Sequence, residues 1–421
     1  MKYSYDQVYD RPRDRARLEG LRDQLLALGH EAGAIRYFTA PGRTELGGNH
    51  TDHQHGLVLA AAVDVDTVAA AAPNGLDCIR LWSQGFPPCQ IALDPARNPP
   101  APRESALSLL QGMAALCAPL GEPVGLDICA SSTVLPGGGL SSSASFEVLL
   151  AEVFNVLWCG DRLEPLKLAE LGQRVENEWF GKPSGRLDQS ASAVGGATFM
   201  SFADPDAPVV EKLDLDPEKL GYALFIINCG ASHADLTGEY AAIPGELGQL
   251  CGCFGKQVLA QVPEADFLAR LPELRQSCGD RAVLRALHIY DENRRVTAQR
   301  DALRAGELDR FLALVRASGL SSWRYLQNVT PAGAAAEQPM ALTLALCERL
   351  LQGRGACRVH GGGFAGTAQA WVPLDLAEAF RTGMERVLGE GACQRRRVRA
   401  VGAAEVIMEG SSAPSTPCDK S

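Results

Sequence analysis

Lysine is scarce in this 421-residue chain: only seven of its 40 basic residues are lysine, and 50 acidic residues give a net charge of −10. That balance excludes the broad basic footprint of a nucleic-acid binder, so any phosphate site has to be local and built from backbone amides, arginine and a metal ion. Aromatic residues make up only 6%. No uncharged apolar run approaches the ~20 residues of a membrane helix, and the first twenty residues lack the apolar core of a signal peptide. The thirteen cysteines are odd in number, irregularly spaced and without a CxxC pair. They do not form a disulfide or zinc framework, and they point to a reducing, cytoplasmic setting. No internal repeat is present. At 46% hydrophobic, the chain can fill two or three domain cores, which excludes collagen, coiled coil and wholesale disorder.

Apolar spacing predicts a helix over 14–31, a short strand over 35–39 and one or two buried strands within 57–70. Helices are expected near 105–118, 143–158 and 164–179, with a strand near 124–130. In the second half, a strand at 222–228 precedes helices near 245–260, 282–303, 307–317, 340–352 and 376–388, and strands are expected around 357–372 and 397–408. The irregular alternation predicts an α+β fold rather than a doubly wound sheet. The polar, Pro- and Asp-rich stretch near 205 suggests a boundary between an N-terminal lobe (1–205) and a C-terminal lobe (206–410), with a disordered tail at 411–421.

Four segments carry the chemistry. In LPGGGLSSSASFE (135–147), three glycines and three serines run into an amphipathic helix, which offers free amides, hydroxyls and the positive end of a helix dipole to a polyanion. It is neither GxxxxGK[ST] nor GxGxxG, which disfavours P-loop and Rossmann proteins. In APGRTELGGNHTDHQHG (40–56), read as a glycine-rich connection between strands, Asp52, His50 and Asn49 can hydrogen-bond a polyhydroxylated ligand while Arg43 faces a phosphoryl group. Its His50, Asp52, His53 and His55 match no zinc spacing. NEWFGKPSGRLDQSASAVGG (177–196) places Asp188 where it can orient or deprotonate a hydroxyl. VHGGGFAGTAQAWV (359–372) is a glycine cluster that lets two backbones approach closely.

In this order the segments resemble the galactokinase branch of the GHMP small-molecule kinases, with its PGRxNxxGEHxDY, PLGAGLSSSAS, GxxCGxMDQ and TGGGFGG motifs. NCGASHADLTGEYAAIP is similar to a fifth segment, in which Tyr240 falls on a tyrosine near the sugar. The resemblance spans about residues 35–408. It implies two α+β lobes with the active site in the cleft between them, ATP as phosphoryl donor, Mg²⁺ and a monosaccharide acceptor phosphorylated at its anomeric hydroxyl. It further implies Arg43 and Asp188 as the catalytic pair, and Asn49, His50, Asp52 and Tyr240 as sugar contacts. Gly137, Gly138, Gly139, Ser141, Ser142 and Ser143 fall on the phosphate loop, and Ser142, Ser143 and Glu176 on the metal ligands.

Several positions depart from the pattern. The family's glutamate that contacts the C6 hydroxyl is Asn49 here, its asparagine is Glu45, and His53-Gln54 follow the aspartate. Ser184 stands for a cysteine, Arg186 is an added charge, and Ser232 replaces a basic residue. Galactose is the first expectation for the sugar. Galacturonate is the alternative, because Asn49 can donate to a C6 carboxylate that a glutamate would repel. A non-catalytic sugar and ATP sensor is a further alternative, against which the intact serine loop argues.

Overall fold

The computed structural model describes residues 1–134, 138–182, 184–204, 207–230, 236–364 and 366–408; Gly137, Ser232 and the tail lie outside them. The apolar run beginning at Leu57 forms one 17-residue strand long enough to pair with three neighbours. In chain order the strands of the first sheet are β1 (Lys2–Ser4), β2 (Arg36–Gly47), β3 (Leu57–Pro73), β4 (Cys78–Ser83), β5 (Cys89–Ala92), β6 (Leu126–Ser132), β7 (Ala197–Ser201) and β8 (Val209–Leu213). The second sheet is built from β9 (Tyr222–Asn228), β10 (Ala356–Val359), β11 (Thr367–Pro373) and β12 (Cys393–Arg396), after which β13 (Ala404–Ile407) returns to the first. The order of the larger sheet is β1-β13-β2-β3-β6-β4-β5, with β7 and β8 branching from β3; the smaller is antiparallel, β10-β11-β9-β12.

The α+β class is as expected, but the sheets do not divide at residue 205. β8 pairs with β7, and β13 lies between β1 and β2, so the first lobe takes strands from beyond the expected boundary. Such long-range pairings leave no local trace in sequence. Helices Ala106–Cys117, Ser142–Leu157 and Pro165–Val175 cover one face of the larger sheet. There Phe154 and Trp158 stack at 4.3 Å in the core, and truncating Phe154 to alanine would cost about 3–5 kcal/mol.

Helices Pro339–Leu351 and Ala377–Leu388 pack on the smaller sheet through Leu344, Cys347, Phe380 and Met384. The segment Leu271–Arg304, two helices that meet at a kink at Gly279 (φ 83°), joins the lobes. Its Glu292 accepts from the Gly48 amide at 3.0 Å, its Asn293 accepts from the Leu57 amide at 2.8 Å, and its Gln299 donates to the Leu46 carbonyl at 3.2 Å. The segment 46–57 is therefore clamped from below by a helix of the other half of the chain. No described cysteine is in a disulfide, and no helix among the described residues is long and apolar enough to cross a membrane.

Candidate active site

The sugar-like signature begins on a strand rather than in a loop. β2 continues through Arg43 to Gly47, and its register against β3 slips between Pro41 and Arg43 and again between Glu45 and Gly47. Bulges of this kind bend a strand and re-aim its side chains. Arg43, buried, points to the start of the helix Leu187–Val194, where Asp188 lies in the first turn. The pair is bidentate: Nε to Oδ1 at 2.6 Å and Nη2 to Oδ2 at 2.8 Å. The third arm, Nη1, donates to the Gly139 carbonyl at 2.6 Å. Burial alone would raise the Asp188 pKa, but Arg43 and the Ser141 hydroxyl hold it below the ordinary aspartate value. The carboxylate is therefore ionised at neutral pH and remains 31% exposed.

The serine loop reaches the same point. Ser141 takes a left-handed conformation (φ 58°) and gives its hydroxyl to Asp188 Oδ2 instead of capping its own helix. No side chain therefore caps the first turn of Ser142–Leu157, the arrangement in which helix amides meet an anion. Ser145 anchors that helix through its hydroxyl to the Ala40 carbonyl and Thr67 Oγ1, both at 2.8 Å. From the other lobe, a Cβ added to Gly139 would sit 1.9 Å from Thr367 Oγ1 and 3.2 Å from His360 Nδ1. Only glycine fits where the serine loop meets the strand that follows the C-terminal glycine cluster.

Glu176 opens the π-turn Glu176–Phe180 that ends the helix Pro165–Val175. Its buried carboxylate accepts from Ser143 Oγ at 3.1 Å, Lys182 Nζ at 2.8 Å, Gln189 Nε2 at 2.9 Å and Ser184 Oγ. Gln189 also donates to Glu147 at 2.9 Å. Burial, and then the neighbouring Glu176, push the Glu147 carboxyl well above the usual range, so it stays neutral. Sequence reasoning placed Ser143 and Glu176 together but missed Glu147, Lys182 and Gln189; Gln189 is itself the last residue of the matched GKPSGRLDQ, Lys182 lies within it, and Glu147 closes LPGGGLSSSASFE.

On the sugar-signature side, His50 (φ 61°) and Tyr240 both touch the Gly361–Gly363 turn. His50 Nε2 bonds the Gly362 carbonyl at 3.1 Å and Tyr240 Oη the Gly363 carbonyl at 2.9 Å. Because Nε2 donates there, Nδ1 is left as an acceptor, and it is buried without a partner. Desolvation drops the imidazole to about 3, which keeps the ring neutral. Asp52 meets the third motif: a Cβ on Gly185 would fall 1.8 Å from its Oδ2.

Asn49 is a correction. It is fully buried, and both amide hydrogens are spent, one on Glu45 (3.1 and 3.2 Å to its two oxygens) and one on the Gly361 carbonyl (2.6 Å). Its Oδ1 accepts from Asn328 at 2.7 Å. The side chain positions the turn that carries His50 and has no donor left for a sugar. Arg186, the added charge, donates through Nε to Gln173 at 2.8 Å. Among the described residues no group of three or more His, Cys, Asp or Glu side chains is placed to hold a metal, the 50–55 cluster included.

Residues 108–196 match the family model of the GHMP kinases N terminal domain, and residues 27–73 match the galactokinase galactose-binding signature. The fold agrees: the chain superposes on L. major mevalonate kinase with a TM-score of 0.58 at 15% identity, covering 86% of this chain and 96% of that one. This is the architecture of a GHMP small-molecule kinase.

Among closer relatives, the chain is 32% identical over 356 residues to the galactokinase of Lacticaseibacillus casei (82% of this chain, 87% of that protein). It is 30% identical over 364 residues to that of Streptomyces coelicolor (86% and 90%). The crystal structure of Lactococcus lactis galactokinase complexed with galactose superposes with a TM-score of 0.77 at 26% identity, covering 92% of this chain and 99% of that one. The chain belongs to the galactokinase family.

Proposed function

We propose that this chain transfers the γ-phosphoryl group of ATP to the anomeric hydroxyl of galactose. The observation that carries the reading is the meeting of Arg43, Asp188 and Ser141 in one hydrogen-bonded cluster at the mouth of an uncapped helix. Phosphoryl transfer needs positioning and charge neutralisation more than covalent chemistry. In this reading the amides of Gly138, Gly139 and the first turn of Ser142–Leu157 receive the phosphates, and Arg43 steadies Asp188 beside them. Asp52 and the His50 Nδ1 acceptor orient the sugar hydroxyls, with Tyr240 walling the pocket. Asp188, ionised and held low by Arg43, accepts a hydrogen bond from the attacking hydroxyl and takes its proton as the oxygen bonds to the γ-phosphorus and the bond to the bridging oxygen breaks, releasing ADP.

Magnesium would bind to the Ser143 hydroxyl and Glu176, with Ser142 adjacent. A buried carboxylate already carrying a hydroxyl from the helix start suits a hard cation that draws its remaining ligands from phosphate and water. Bound there, it would neutralise charge on the transferring group.

Galactose stays ahead of galacturonate because the donor expected to greet a C6 carboxylate, Asn49, is consumed inside the protein. The test is initial ADP release with galactose, galacturonate and glucose as acceptors. The expected result is turnover on galactose at least tenfold above the others. Equal or greater turnover on galacturonate overturns the sugar, and ATP and sugar binding without ADP release overturns the enzyme.

A further inference from the structure

Lys182 belongs to GKPSGRLDQ, at a position that the family's GxxCGxMDQ pattern leaves open. It is one of only seven lysines in the chain. Its side chain is 55% exposed, yet its ammonium bonds the almost fully buried Glu176, on the same oxygen that receives the Ser143 hydroxyl. The other partners of that carboxylate are held in place, Ser184 through its amide, which donates to Asn177 Oδ1 at 2.8 Å. Ser143 and Gln189 lie on helices, and Gln189 is tied to Glu147 as well. Lys182 sits on an irregular stretch with a four-carbon stem, so it is the partner free to exchange. The other cation of the cluster, Arg43, already spends Nε and Nη2 on Asp188 and Nη1 on Gly139. Two carboxylates, those of Glu176 and Asp188, therefore face two cations, of which one can move.

Resting on the kinase reading above, we propose that Lys182 is an additional phosphate-binding residue. It rests on Glu176 while the nucleotide is absent, and its ammonium would turn to the outer phosphate oxygens when Glu176 holds Mg²⁺. A compact ammonium with three rotatable donors suits such a transfer, whereas Arg43 is locked in its planar fork. A merely solvated ion pair would contribute little to anything.

The test is calorimetric binding of MgATP and of AMP to the full chain and to Lys182→Ala, Lys182→Arg and Lys167→Ala. Lys167 forms an ordinary surface pair with Glu170 and serves as control. Loss of a charged hydrogen bond to the outer phosphates predicts about tenfold weaker MgATP binding in Lys182→Ala. AMP binding should be unchanged, Lys182→Arg should lose less on MgATP than Lys182→Ala because the charge is kept, and Lys167→Ala should match wild type. MgATP binding by Lys182→Ala that equals or exceeds wild type overturns the proposal, as does an equal loss for AMP. Failure of the unmodified chain to bind MgATP would instead remove the nucleotide reading on which the proposal stands.

Discussion

Of the aspartates that arginine grips in this molecule, Asp66 and Asp188 make the sharpest contrast, and only Asp188 is open to a substrate. Asp66, on β3, accepts from Arg17 and Arg399, each at 2.8 Å, from Tyr9 at 2.6 Å and from Thr39 at 2.9 Å, and it is 4% exposed. Asp188 accepts from one arginine and one serine and is 31% exposed. Both carboxylates are held below their ordinary pKa, Asp66 at about 2. A depressed pKa therefore does not mark an active site. The mark is an open face beside an uncapped helix start, because a carboxylate enclosed by four donors and almost without exposure leaves no room for a substrate hydroxyl.

The sharpest way to break this contrast is to neutralise each acid in turn. Asp188→Asn should lower kcat by about 10²–10⁴-fold, the range for removing a positioned general base. MgATP affinity measured by calorimetry should stay within about threefold. An unchanged kcat would take Asp188 out of the reaction. Asp66→Asn should do the reverse: it strands Arg17 and Arg399 and should cost about 3–5 kcal/mol in urea unfolding, while the folded fraction turns over normally.

The pH dependence separates them further. The folded-state pKa of Asp66 is depressed from 3.8 to about 2. Its contribution is therefore complete above pH 4 and is lost as pH falls through 2, amounting to about 2 kcal/mol. Unfolding free energies of wild type and Asp66→Asn should differ by that much less at pH 2 than at pH 5. A difference independent of pH would mean that the native ion pair is not what the substitution removes.

Much of the site was legible because its chemistry is local. A glycine-serine string before an amphipathic stretch predicts an anion-binding helix start, and the helix begins at Ser142. The elements misread were those decided at a distance. β2 runs through the signature expected as a loop, because β3 pairs with it across two bulges. The helix expected from 245 begins at Thr237, with Pro244 inside it rather than before it. Strands β1, β4, β5, β8 and β12 are short and were not anticipated. Asn49 was expected as a sugar contact for a related reason: a polar residue in a polar motif reads as a ligand contact, and only the packing of Asn328 and the Gly361 carbonyl reveals that its side chain is buried.

A third carboxylate extends the comparison and carries the smallest expected effect. Glu45 and Asn49 occupy positions where the family pattern has asparagine and glutamate, so the two residue types are exchanged, and here they bond each other. Glu45 also pairs with buried Arg358, while burial pushes its pKa upward. If the pair is a unit, Asn49→Glu alone places two carboxylates against one arginine, and Glu45→Asn alone leaves Arg358 without its acid. The double exchange restores one acid and one amide. In a urea-unfolding cycle each single variant should lose stability, and the double should recover at least about 1 kcal/mol relative to the sum, the scale of coupling between residues in contact. Strict additivity would mean that the acid and the amide act independently.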